Sequence, residues 1–140
     1  QCALGISQLR KLNIFIERRF EIAKKYDYAF LNNANGVIKP LYLFNGNSSY
    51  HLYVVRVDFS KLKINKVELF NLLLDKSIGV QLHYIPINRQ PYYKELGYGN
   101  EEIPVMNKYY EECFSLPMFP LLSDEEQDYV IESLMEIINE

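Results

Sequence analysis

The residues best suited to chemistry crowd into one stretch, "GVQLHYIPINRQPYYKELGYG" from Gly79 to Gly99. Two prolines, four tyrosines and one histidine share it with little charge. Period-two alternation from Val80 to Tyr84 predicts a strand with Gln81 and His83 on one face and Val80, Leu82 and Tyr84 on the other. Pro86 and Pro91 fix backbone angles, so Asn88, Arg89 and Gln90 are expected on a stiffened loop between them. Tyr92 and Tyr93 add apolar rings with hydroxyl tips. Rings, amides and hydroxyls on a braced loop can stack on and hydrogen-bond a polar, ring-shaped ligand such as a sugar. The alternative is a satisfied core histidine before an ordinary turn, and spacing leaves both open.

Reacting groups are scarce elsewhere. The chain has no glycine-rich phosphate loop, no G-x-S-x-G, no H-E-x-x-H and no obvious carboxylate pair in an apolar setting. Lysines 24, 25, 61, 63, 66, 76, 94 and 108 are expected on polar helix faces or in loops, whereas a Schiff-base lysine needs desolvation or a neighbouring cation. The acidic run from Asp124 to Asp128 is explained by a helix start. Cys2 and Cys113 with His51 and His83 form no zinc pattern. Two distant cysteines fit a reduced, cytoplasmic setting.

The elements that must hold the loop can be read from periodicity. Leu9, Leu12, Ile16, Phe20, Ala23 and Phe30 recur at helical spacing, predicting one long helix from about Ile6 to Leu31. Such a helix is roughly 37 Å long, enough to bridge two units of a larger structure. "NNANG", Asn32 to Gly36, ends it. A short extended piece and a polar turn at "NGNSS" follow. "HLYVVRVDF", His51 to Phe59, is the clearest strand, with Arg56 and Asp58 opposite Val55 and Val57. Asn65 with Glu68 signals a capped helix start, with Val67, Phe70, Leu73 and Leu74 on one side and an end near Gly79. Short helices are expected around Tyr92 to Leu96 and Met106 to Cys113, then an extended link through "SLPMFPLL". Ser123 and Glu126 cap a last helix with Val130, Leu134, Ile137 and Ile138 as its apolar stripe. Strands between helices indicate a two-layer α/β sandwich.

At 140 residues and 49% hydrophobic, the chain suits one compact domain. Its net charge of −3 disfavours nucleic acid as partner, and it carries no uncharged apolar run long enough for a membrane span. Residues 1–40 hold seven Lys/Arg against three acids, and residues 101–140 one Lys against eleven; two solvated helix faces of opposite sign account for this. Gln1 comes first and the first methionine is Met106, so a piece of a longer polypeptide is expected.

Four stretches, "ALGISQLRKLNIFIERRFEIAKKYDYAF", "YHLYVVRVDF", "GVQLHYIPINRQPYYKELGY" and "IPVMNKYYEECFSLPMFPLLSDEEQDYVIESL", together resemble the C-terminal part of the DegT/DnrJ/EryC1/StrS aminotransferases. The resemblance covers nearly all of the chain. It implies the end of a fold type I enzyme that uses pyridoxal 5'-phosphate: a linking helix over residues 1–36 and a small domain over 37–140, with a short, mainly antiparallel sheet covered by helices. Within the family the loop looks most like members of pseudaminic acid synthesis. These aminate C4 of a UDP-linked 4-keto-6-deoxy sugar with L-glutamate as donor, and a homodimer is implied. The cofactor lysine would lie in the N-terminal domain, so this chain would be inactive alone. Carried across, His83, Tyr84, Ile85 and Pro86 would contact substrate, with Asn88, Gln90 and Tyr93 beside them and no catalytic residue here. Relatives commonly carry a second histidine where this chain has Asn88, which cannot titrate near neutral pH. Arg56 is expected to be structural or at the pocket rim. A sibling transaminase for another 4-keto sugar and a non-catalytic interaction domain are the alternatives.

Overall fold

The computed structural model describes residues 1–32, 36–41 and 48–139. Its elements, in order, are α1 (Cys2–Leu9), α2 (Leu12–Leu31), β1 (Ile38–Pro40), β2 (Tyr53–Val57), α3 (Lys66–Asp75), α4 (Pro91–Glu95), α5 (Pro104–Glu112), β3 (Cys113–Leu116) and α6 (Asp124–Asn139). The three strands form one antiparallel sheet in the order β1-β2-β3, as the α/β expectation requires.

Alternation along β2 decides which face is the core. Tyr53, Val55 and Val57 are buried and Val54 and Arg56 less so; Val55 pairs with Phe114 and Tyr53 with Leu116 across the sheet. These residues share one apolar core with Ile22, Tyr26 and Phe30 of α2, Leu69 and Leu73 of α3, and Val130, Leu134, Ile137 and Ile138 of α6. Tyr26 stacks on Tyr53 at 4.7 Å, and its hydroxyl donates to the Pro117 carbonyl at 3.0 Å. The Tyr53 hydroxyl donates to Asp27 at 2.7 Å. Burial pushes both phenols well above the ordinary tyrosine range.

Both predicted capping boxes form. Asn65 accepts from the Val67 and Glu68 amides while Glu68 accepts from the Asn65 amide. The Glu126 amide donates to Ser123 Oγ at 3.1 Å and Glu126 accepts from the Ser123 amide at 2.8 Å. The apolar stripe of α6 is buried as expected, and it includes Gln127, whose Nε2 donates to the Ile22 carbonyl at 2.8 Å.

Several boundaries differ from the sequence reading. The long helix is two: at Lys11 the amide bonds the Gln8 carbonyl three residues back, and this tighter turn separates α1 from α2. Helix α1 buries no residue, so no packing holds it in line with α2. The buried side of α3 is Leu69 and Leu73, while Val67 and Leu74 are exposed and the helix stops at Asp75. Ser77, with φ of 61°, turns the chain just past it. No strand spans Val80–Tyr84: one antiparallel bridge, Gln81 to Ser115, replaces it. Helix α5 begins at Pro104, and Cys113 opens β3, so "SLPMFPLL" starts inside the sheet. The expected turn at "NGNSS" falls mostly outside the described residues.

The opposite charges at the two ends are not separate solvated faces. They meet, Arg18 with Asp124 at 2.8 Å and Lys25 with Asp128 at 2.7 Å, tying α2 to the start of α6. No helix among the described residues is long and apolar enough to cross a membrane.

Candidate functional site

The sheet's second face carries Val54 and Arg56 of β2 and, by register, Cys113 and Ser115 of β3. Across Gln81 and Ser115 the backbones exchange two hydrogen bonds, 3.2 Å and 2.8 Å. That bridge docks the chain onto the outer edge of β3 just before His83. Beside it opens a cleft of about 200 Å³, lined by Leu52, Gly79, Gln81, Ser115, Leu116, Pro117 and Met118.

His83 is half-buried, and its Nε2 lies 2.8 Å from the Oγ of buried Ser115. Its ring meets Tyr84 edge-on, centroids 4.8 Å apart, across a cis peptide bond. Tyr84 is 74% exposed, Ile85 and Ile87 are exposed, and Pro86 is buried beneath them. The loop thus holds its proline inward and presents its rings outward.

The 3-10 turn Ile87–Arg89 follows, and Arg89 anchors it. One Nη donates to Asn107 of α5, and the guanidinium lies 5.4 Å from the Tyr110 ring centre. Asn88 Nδ2 donates to Glu101 at 3.1 Å, and the same carboxylate oxygen accepts the Gly99 amide at 2.8 Å. These bonds hold the Glu101 carboxyl below its usual range. Gly99 has φ of 108°, and a Cβ there would stand 3.1 Å from the Asn88 carbonyl oxygen. Gln90 Nε2 reaches back to the Ile85 carbonyl at 3.3 Å. Pro91 opens α4, where its missing N–H costs nothing. Tyr93 packs edge-on between Tyr92 and Tyr98, at 5.4 and 6.2 Å.

Of the seven site residues expected from the sequence, six lie on one continuous loop, and Tyr93 sits on α4 just after it. His83 and Tyr84 are in ring contact and Gln90 braces Ile85, whereas Asn88 and Tyr93 turn to Glu101 and Tyr98. Arg56 is structural: its Nε and Nη2 both donate to the buried Glu112 at the end of α5. Sequence reasoning missed Ser115, Arg89 as an anchor, and Lys66. Their partners lie 18 to 44 residues away, beyond any local pattern.

Lys66 corrects the expectation of uniformly solvated lysines. It is half-buried, its Nζ donates to the Tyr110 carbonyl at 2.6 Å, and burial lowers its pKa. It faces a cleft of about 600 Å³ whose lining includes Asp58, Asn107, Glu111 and Glu112. A pyridoxal phosphate needs a free amine and a phosphate cradle. Here the amine is engaged and three carboxylates oppose a phosphate. Lys108 also lines the cleft, but one further cation does not offset those three carboxylates, so this lining does not fit that cofactor.

The chain is similar to known proteins over nearly its whole length. Residues 1–135 match the DegT/DnrJ/EryC1/StrS aminotransferase family. The spore coat polysaccharide biosynthesis protein SpsC of Bacillus subtilis is 39% identical over 99% of this chain and 36% of its own length. The UDP-4-amino-4,6-dideoxy-N-acetyl-beta-L-altrosamine transaminase of Campylobacter jejuni is 34% identical over 98% of this chain and 36% of its own length. Among solved structures, Helicobacter pylori PseC, an aminotransferase involved in the biosynthesis of pseudoaminic acid, superposes with a TM-score of 0.87 at 28% identity. That match covers 98% of this chain and 36% of PseC. Spr1654 of Streptococcus pneumoniae, in its PLP-form, gives 0.85 at 30% identity over 97% of this chain and 34% of its own. The chain thus spans about a third of the length of these relatives. It belongs to the DegT/DnrJ/EryC1/StrS aminotransferase family.

Proposed function

We propose that this chain is the C-terminal part of a pyridoxal-phosphate-dependent aminotransferase that moves an amino group from L-glutamate to C4 of a UDP-linked 4-keto-6-deoxy sugar. Residues 1–36 link it to a larger domain, and residues 37–140 form a small domain whose loop from His83 to Tyr93 is one wall of the sugar-nucleotide pocket. The observation that carries this reading is the loop itself. A buried proline, an anchored arginine and a tethered histidine brace it, yet its tyrosines face outward. A fold gains nothing from bracing exposed rings unless they meet something.

Cofactor chemistry belongs to residues beyond those described, and this loop contributes binding and alignment. The full-length relatives supply the precedent: one is named for a UDP-linked amino sugar, and another has a PLP-form. A homodimer and a cytoplasmic setting are part of the same reading.

The higher identity to the spore coat protein than to the altrosamine enzyme, 39% against 34%, favours a second reading, a sibling enzyme for another 4-keto sugar. Assaying the complete polypeptide with several amino donors and nucleotide keto sugars separates the two. In that assay Tyr84→Ala and His83→Ala raise KM for the sugar about 3- to 10-fold, as for loss of one polar contact. The half-reaction with glutamate stays unchanged. A sugar KM unmoved in both variants overturns the pocket assignment.

A further inference from the structure

Ser115 is buried on β3, 32 residues from His83, and has one hydrogen to give. Its Oγ lies 2.8 Å from His83 Nε2 and 3.3 Å from the Gln81 carbonyl oxygen. Two arrangements satisfy the short contact. In one, the serine hydroxyl donates to Nε2, the Gln81 carbonyl loses its hydroxyl partner, and the proton of the neutral imidazole sits on Nδ1. Nδ1, however, is buried with no partner, so that N–H would be stranded. In the other, Nε2–H donates to Oγ and Oγ–H donates to the Gln81 carbonyl. This second arrangement makes two hydrogen bonds where the first makes one, and it strands no donor.

We infer that Ser115 is a positioning residue that holds His83 in the Nε2–H tautomer, so that the remaining nitrogen of His83 is an acceptor. Resting on the pocket reading above, this restricts what part of a nucleotide sugar His83 can meet. That nitrogen is buried in this structure, so a ligand reaches it only when the loop shifts; a hydroxyl or amide N–H then finds an acceptor there, and a carbonyl or phosphate oxygen finds no donor. At His83, discrimination therefore runs through the sugar's hydroxyl and N–H donors.

The test is histidine ring nitrogen NMR on the full chain, labelled with ¹⁵N-histidine. His51→Asn assigns the two imidazoles. Two-bond proton–nitrogen correlations distinguish the tautomers directly, a readout that mere stability does not move. The expected result is Nε2–H for His83 in the unmodified protein, a mixed or reversed tautomer in Ser115→Ala, and recovery in Ser115→Thr. Nδ1–H in the unmodified protein overturns the inference, even if Ser115→Ala fails to fold. So does an unchanged tautomer in a folded Ser115→Ala. UDP-N-acetylglucosamine added to the complete polypeptide then tests the pocket separately. A bound probe that leaves His83 Nδ1 unshifted counts against the pocket reading, while the tautomer result stands on its own.

Discussion

At the scale of single residues, the loop depends on a few long-range tethers. Arg89 is the clearest, since its fork bonds Asn107 while its plane covers Tyr110. Lysine cannot reproduce both contacts. Arg89→Lys is expected to cost about 1 kcal/mol of stability, measured by denaturant titration, and, on the proposed function, to raise the KM of the complete polypeptide for the nucleotide sugar more than that for glutamate. Gly99→Ala meets two obstacles, a left-handed backbone and the Asn88 carbonyl 3.1 Å from the new methyl. A loss of about 1–3 kcal/mol is expected there, against almost none for Gly79→Ala, where nothing lies within 4 Å. The residue types of the site were legible in the sequence because prolines and tyrosines advertise a stiff aromatic loop. What holds them was not: Ser115, Asn107 and Tyr110 reach the loop only through the folded chain.

At the scale of elements, local signals were read correctly and packing signals less so. The two capping boxes are set by residues three apart, and both formed. Asn65→Ala and Ser123→Ala should each lose about 1 kcal/mol, read from the shift in denaturation midpoint at constant slope. The strand expected from Val80 to Tyr84 rested on alternation alone, and only Gln81 finds a partner, on the edge of β3. Likewise helical spacing could not show that Leu69 rather than Val67 faces the core. The tie between α2 and α6 carries a pH signature. Arg18 holds the Asp124 carboxyl below its ordinary value, so this contribution is complete above about pH 4 and is lost as pH falls through the lowered value. Acid titration of stability should therefore show unmodified protein and Arg18→Gln separated near neutrality and converging below pH ~4. A gap that stayed constant down to strong acid would contradict this assignment.

At the scale of the whole molecule, one core joins the second half of α2 to the sheet, α3 and α6, and α1 stands outside it. Leu4, Ile6, Leu9, Leu12 and Ile14 are all exposed, a patch that suits contact with further protein. Hydrogen exchange on the full chain should find α1 open and β2 among the last segments to exchange. The α/β architecture was legible from the order of strands and helices, while the split of the first helix was not, because nothing in "LRKL" marks a break. Incubation with pyridoxal phosphate should give no imine band, consistent with an engaged Lys66. The central claim is that this chain shapes a substrate pocket from one side. The most direct measurement is a structure of the complete polypeptide with a bound UDP-linked sugar. The account predicts contacts from the turn at His83 and Tyr84, and a sugar seated clear of residues 83–93 would contradict it.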